Sequence, residues 1–96
     1  MVEVTHWRRR RTTPGHTVEI LETVQVTPDN LDAVARWCGG HVTTTDTGAA
    51  VAIRIGTSII PARIGDHVVR ITWPDATRTH YPMRARLLRD CYDKVD

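Results

Sequence analysis

The residues near the amino terminus that are best suited to chemistry are a tryptophan and four consecutive arginines. They are Trp7, Arg8, Arg9, Arg10 and Arg11. Guanidinium groups bind phosphates and carboxylates, and an indole ring can stack on a base or fill a pocket of a partner protein. Because adjacent like charges repel one another and stay solvated, residues 1–16 are predicted to form a basic arm that is flexible or lies along the domain edge. A Trp7 ring folded back onto the domain edge is the alternative interpretation.

Three further arginines extend the candidate binding site. Arg54, Arg63 and Arg70 have the strand parity that would let them share the polar face of a sheet. Since arginine pairs well with phosphate, they could bind a small signalling nucleotide, and the arginine run could bind nucleic acid. The simpler interpretation is that each of these arginines acts on its own and only keeps the polar face of the sheet solvated. A partner protein would instead contact the exposed sheet faces and the Arg86 and Arg89 face of the last helix.

The sequence carries no pattern typical of a catalytic or metal centre. Its five histidines form neither an H-x-H nor an H-E-x-x-H pattern. The only serine, Ser58, has no nucleophile-elbow context, and Cys38 lies at the carboxyl end of a predicted helix, where the dipole opposes a thiolate. His67 is expected to be a hydrogen-bonded residue of the core or its rim. The chain is therefore expected to be a binding protein rather than an enzyme, with no metal and no cofactor.

Length and composition favour one globular domain. The chain has 96 residues, of which 41% are hydrophobic and 25% charged, enough for a single modest core. No apolar run approaches the roughly 20 residues of a membrane span, and no apolar segment follows the amino-terminal charges as in a signal peptide. A cytosolic protein without a membrane partner is expected. Cys38 and Cys91 are predicted to be free and buried, because a reducing compartment disfavours disulfides.

The stretch Gly56–Trp73 predicts the β-hairpin around which the fold is organised. Gly65-Asp66 suits a two-residue turn, whose first residue needs a positive φ. The predicted register pairs residues symmetrically about this turn, as in Ala62 opposite Val69. One side of the ribbon is then almost wholly apolar, so a slip of one residue would carry arginines into the core.

Further strands and helices are predicted on both sides of this hairpin. Alternation predicts strands at Val18–Thr27, His41–Thr45, Ala49–Ile55 and Thr77–Tyr81. Helical spacing predicts helices at Pro28–Cys38 and at about Arg84–Val95. Thr27 is expected to cap the first helix and Gly39-Gly40 to end it.

The predicted fold class is α+β. It consists of a curved antiparallel sheet of about five to six strands, with one helix after the first strand and one carboxyl-terminal helix. Residues 17–96 are expected to form this single domain. Because a small sheet leaves strand edges uncovered, a homodimer that pairs such edges across a two-fold axis is expected.

Several short motifs occur in the order found in one family of proteins. They are the basic run Arg8–Arg11, the step Val24-Gln25, an Asn30-led helix ending in Trp37-Cys38-Gly39-Gly40, the turn Ala62-Arg63-Ile64-Gly65-Asp66, the step Tyr81-Pro82 and the late Tyr92-Asp93. Over roughly residues 18–93 the chain resembles a family of small proteins encoded by tailed bacteriophages and prophages. It departs from that family where Ala85 replaces a proline and Leu88 replaces a phenylalanine.

The resemblance implies a phage origin and a shared fold, without an established activity. Genes of this kind tend to serve host takeover or evasion of host defence. By this analogy the protein is expected to be a binding module that acts on a host protein in the host cytoplasm. The alternative is an anion-binding protein that uses its arginines for nucleic acid or a small signalling nucleotide.

Overall fold

The computed structural model describes residues 2–10 and 20–95. Within these residues the elements are, in chain order, β1 Thr5–Arg9, β2 Ile20–Gln25, α1 Leu31–Cys38, β3 His41–Thr45, β4 Gly48–Ile55, β5 Ser58–Arg63, β6 His67–Thr72, β7 Arg78–Met83, α2 Ala85–Cys91 and β8 Tyr92–Lys94. The α+β class predicted from the sequence is confirmed.

The strands form two antiparallel sheets. The larger sheet has the order β7-β6-β2-β1-β8, and the smaller has the order β3-β4-β5. The prediction of one curved sheet is wrong, because the two strands of the predicted central hairpin choose different neighbours. β5 pairs with β4, whereas β6 pairs with β2 and β7.

The turn at Gly65 connects the two sheets. Gly65 has a φ of +97°, and the Asp66 amide donates a 2.9 Å hydrogen bond to the Arg63 carbonyl, so the predicted positive φ is confirmed. The predicted hairpin register is wrong. Val26, just after β2, donates to the Asp66 carbonyl at 2.8 Å and accepts from the Gly65 amide at 2.9 Å. β2 therefore occupies the place beside β6 that the sequence assigned to β5.

Both helices are shorter than predicted. α1 begins after Asn30 rather than at Pro28, because the Asn30 side chain accepts from the Thr27 amide and donates to the Gln25 carbonyl, each at 2.8 Å. Gly39 ends α1 in the left-handed conformation, as predicted. α2 ends at Cys91, and the residues that follow form β8.

The amino-terminal residues are part of the sheet. β1 lies between β2 and β8, so the prediction of an arm that is flexible or lies along the domain edge is wrong for Thr5–Arg9. The alternation of this strand is hidden in the sequence because arginines occupy positions on both faces. Arg11 and the predicted boundary at residue 16 lie outside the described residues.

The main core lies between the two sheets. It is formed by Val24, Val26, Val34, Ala35, Cys38, Val51, Ile53, Ala62 and Val68. Apart from Val26, which follows β2, these residues come from β2, α1, β4, β5 and β6. α1 and the smaller sheet therefore cover one face of the larger sheet, here called the inner face. The opposite face, here called the cleft face, carries buried Leu21, Thr23 and Val69. Neither helix of the described chain is long and apolar enough to cross a membrane.

Candidate binding cleft

A cleft of about 350 Å³ opens on the cleft face of the larger sheet. Its floor includes Thr5, Trp7 and His67, and its rim includes Arg89 of α2 and Lys94 of β8. The pairing explains why these side chains meet. Thr5 lies opposite Thr23 and Trp7 opposite Lys94, while His67 lies opposite Gln25, two residues from Thr23. All of them therefore point to the same side of the sheet. We call this site the Trp7 cleft.

Hydroxyl groups hold the Trp7 ring in place. The indole Nε1 donates to Thr5 Oγ1 and to Thr23 Oγ1, each at 3.0 Å, and the two hydroxyl oxygens are 2.9 Å apart. Thr23 is completely buried. Of the two interpretations of Trp7, the ring folded back onto the domain is the one observed. Its N–H group is already used, so Trp7 shapes the cleft rather than offering a hydrogen bond to a ligand.

His67 is the titratable group of the floor. Its Nδ1 lies 3.1 Å from Thr23 Oγ1, and its ring meets Trp7 edge to face at 6.0 Å, as a hydrogen-bonded core or rim histidine should. Burial lowers the pKa of His67, Arg89 lowers it further, and Asp66 opposes them. His67 is therefore uncharged at neutral pH. Within the described chain its Nε2 makes no hydrogen bond, which leaves that atom available to a ligand.

The rim of the cleft has an excess of positive charge. Among the described residues that line the cleft, Arg89 and Lys94 face a single carboxylate, that of Glu3. In the part of the chain that the structure describes, neither cation forms an ion pair. Within the described lining, two cations and one carboxylate give the rim one net positive charge, which suits an anionic ligand.

Arg10 serves the fold rather than a ligand. Its guanidinium donates to the carbonyls of Arg89 at 3.1 Å and Asp90 at 3.0 Å, and it pairs with Asp93 Oδ1 at 2.9 Å. These carbonyls belong to the last turn of α2, which has no partners for them within the helix. A cation at this end also favours the helix dipole. Arg10 is thus the carboxyl-terminal cap of α2.

The remaining arginines of the run differ in exposure. Arg8 is exposed on the inner-face side of β1, whereas Arg9 is half-buried on the side that carries Trp7. Arg11 lies outside the described residues. Within the described part, the run therefore does not form a continuous basic arm.

Arg54, Arg63 and Arg70 do not share one face. Arg70 belongs to the larger sheet, where its side chain is only 14% exposed. Arg54 and Arg63 are exposed on the smaller sheet, on one face, but four positions apart along the strands, roughly 13 Å. Arg63 also donates to the Thr47 hydroxyl at 3.0 Å. The predicted three-arginine anion site is not assembled.

Of the residues that line the cleft, the sequence predicts a binding role for Trp7 and a protein contact for Arg89, and it predicts His67 only as a core or rim histidine. Threonine is too common in proteins for Thr5 and Thr23 to indicate a hydrogen-bond network from the sequence alone. Lys94 is the single lysine of the chain, yet its position depends on β8, which was predicted as helix.

The two cysteines are free and differ in exposure. Cys38 is buried, and burial raises the pKa of its thiol, so it is a poor nucleophile. Cys91 is free but exposed, so its predicted burial is wrong. Among residues 2–10 and 20–95, no three His, Cys, Asp or Glu side chains group closely enough to hold a metal ion.

Comparison with protein-family models, curated proteins and solved structures finds no match to this chain.

Proposed function

We propose that the protein is a non-enzymatic binding module whose Trp7 cleft takes an acidic segment of a partner protein. The observation that carries this proposal is the pair of cations, Arg89 and Lys94, placed without ion pairs beside the uncharged His67. An acidic side chain entering the cleft would bring the opposite charge. In the tautomer that carries its proton on Nε2, with Nδ1 accepting from the Thr23 hydroxyl, the buried His67 ring can donate a hydrogen bond to this side chain.

The charge balance favours a carboxylate over a nucleotide. One net positive charge among the described lining residues matches a single carboxylate, whereas it would leave most of the charge of a di- or triphosphate unbalanced. The last turn of α2 also lines the cleft through Arg89, and this end of a helix is the negative end of its dipole. Both features oppose a highly charged anion.

The resemblance to small phage proteins supports one further part of the proposal. A module of that kind would act in the host cytoplasm on a host protein, for host takeover or evasion of host defence. This part rests on the ordered motifs of the sequence, and the cleft adds the chemical class of the segment that the module would recognise.

A small signalling nucleotide is the second candidate, because Arg89 and Lys94 could also pair with a phosphate. NMR spectra of the ¹⁵N-labelled protein can separate the two candidates with three probes. These are an acetylated hexapeptide with two glutamates, the same peptide with glutamines, and adenosine diphosphate.

The glutamate peptide is expected to shift the Trp7 indole resonance and the amide of Lys94, and the glutamine peptide is expected to leave both unchanged. Tighter binding of adenosine diphosphate than of the glutamate peptide would favour the nucleotide. If no probe moves a cleft resonance, the cleft is not the recognition site.

A pair of double variants tests the role of the cations. Arg89→Gln with Lys94→Gln is expected to weaken glutamate-peptide binding at least about tenfold, because each exposed charge contributes on the order of 1 kcal/mol. Arg84→Gln with Arg86→Gln is the matched control, since it removes two charges from the same helix region outside the cleft lining. Equal weakening by both would show a general charge effect, contrary to the proposal.

A further inference from the structure

The exposed edges of the two sheets are protected unequally. In the larger sheet the edge strands are β7, which contains Pro82, and β8, which has only three residues. In the smaller sheet one edge is β5, which contains Pro61. Proline lacks the N–H group that a new strand would need, and very short strands offer few hydrogen bonds, so these devices discourage further pairing.

The fourth edge, β3, carries none of these devices. Its sequence, His41-Val42-Thr43-Thr44-Thr45, has no proline, lysine, arginine, aspartate or glutamate. Four of its five residues are β-branched, a type that favours strands. Val42 is 41% exposed, and His41 and Thr44 are exposed as well. An exposed edge of this composition is a template for another strand.

We propose that β3 pairs antiparallel with β3 of a second copy of the chain, across a two-fold axis through Thr43. This register pairs all five residues, with Thr43 opposite itself, Val42 opposite Thr44 and His41 opposite Thr45. The two three-stranded sheets then join into one continuous sheet of six strands.

A second copy suits this edge because the strand is self-complementary. In this two-fold register Thr43 lies opposite its own symmetry mate, so a charged residue at that position would repel its copy. β3 has no acidic or basic residue at the axis, and threonine facing threonine is a favourable cross-strand pair. Val42 and Thr44 lie on the side of β4 that carries buried Val51, so pairing also covers the exposed part of Val42.

The contact is small. A five-residue strand pair buries much less than the roughly 800 Å² per partner of a standard stable interface. We therefore expect a weak dimer whose population rises with protein concentration.

Charge placed on the axis tests the proposal directly. Sedimentation velocity over a concentration series is expected to show association of the unaltered protein. Thr43→Lys alone and Thr43→Glu alone are expected to remain monomeric, because like charges then meet at the axis. An equimolar mixture of the two variants is expected to associate again, since opposite charges now meet.

Thr57→Lys, an exposed position in the turn between β4 and β5, is the matched control and is expected to associate as the unaltered protein does. Two results would overturn the inference. One is an unaltered protein that stays monomeric throughout the series, and the other is a Thr43→Lys variant that associates normally. Failure of the mixture to recover association would likewise count against pairing at Thr43.

Discussion

Arg70 and Glu22 form a bidentate ion pair across β6 and β2 on the inner face of the larger sheet. Arg70 Nη2 lies 2.8 Å from Glu22 Oε2, and Arg70 Nε lies 3.2 Å from Oε1. The guanidinium also lies over the ring of Trp37, 4.4 Å from its centroid. The pair is therefore enclosed by α1 rather than offered to a ligand, and it lowers the pKa of Glu22.

Removing this arginine is expected to destabilise the fold. Arg70→Met keeps much of the apolar stem but leaves Glu22 without its partner, so we expect a loss of about 1–2 kcal/mol in the free energy of unfolding. Urea denaturation measures it. Arg86→Gln is the control, because Arg86 and Asp90 are 3.9 Å apart with side chains 88% and 66% exposed. A loss no larger than that of the control would contradict a structural role for Arg70.

Stability is expected to fall as the pH drops below about 6.5. Burial, followed by Arg89, lowers the pKa of His67; burial, followed by Arg70 and Arg78, lowers that of His80. Each lowered value means that the unfolded chain binds a proton before the folded chain does. The two histidines therefore contribute their full stabilisation at a pH above their pKa in the unfolded chain. This contribution is lost as the pH falls from that value towards their lower pKa in the folded chain.

Urea midpoints at pH 7.5 and pH 5.5 measure this effect, and the double variant His67→Gln, His80→Gln should flatten the difference between them. Glu22 adds to the loss only at lower pH, because its pKa lies below its ordinary value and its stabilisation disappears as pH falls through that lowered value. An unchanged difference in the double variant would show that other groups govern the acid response.

Arg10 is expected to stabilise the protein more than Arg8 does. Arg10→Ala removes hydrogen bonds to the last turn of α2 and should cost about 0.5–1.5 kcal/mol, whereas Arg8→Ala removes an exposed side chain and should cost less than about 0.5. Thermal melting of the two variants compares them. Equal effects would argue that the arginine run acts only through its total charge.

The two cysteines are expected to react at different rates. Cys91 is exposed and should react quickly with a thiol reagent, while Cys38 is buried with a raised thiol pKa and should react slowly. Reaction with an aromatic disulfide should therefore show one fast and one slow phase. Cys91→Ser should remove the fast phase. Two slow phases in the unaltered protein would contradict the exposure of Cys91.

Local features of the fold could be predicted from the sequence, whereas strand partners could not. The left-handed cap at Gly39 and the positive φ at Gly65 follow from residues within one turn, and both were predicted. The hairpin partner of β6 was not, because the first residues of β6 are buried on both faces, so their pattern does not indicate which strand lies beside them. β1 and β8 were also missed, because β1 becomes a strand through its pairing with β2 and β8, and β8 through its pairing with β1.

Within the candidate site, Trp7 shows the same difference between local features, which could be predicted, and strand partners, which could not. Its place beside the arginines suggested a binding role, and it does line the cleft. The hydroxyl groups that hold it come from Thr5 and Thr23, which lie 18 residues apart. No spacing rule connects such residues before the register of β1 and β2 is known.

The position of β1 between β2 and β8 has a consequence for how the chain folds. Arg10 and Asp93 are separated by 83 residues, so closing the larger sheet joins nearly opposite ends of the described chain. The entropic cost of closing such a loop exceeds that of a local hairpin by about 2.5 kcal/mol. Long-range pairing of this kind slows folding. We therefore expect the β1–β8 pairing to form late, so that the cleft between Trp7 and Lys94 exists only in molecules that have completed every earlier step.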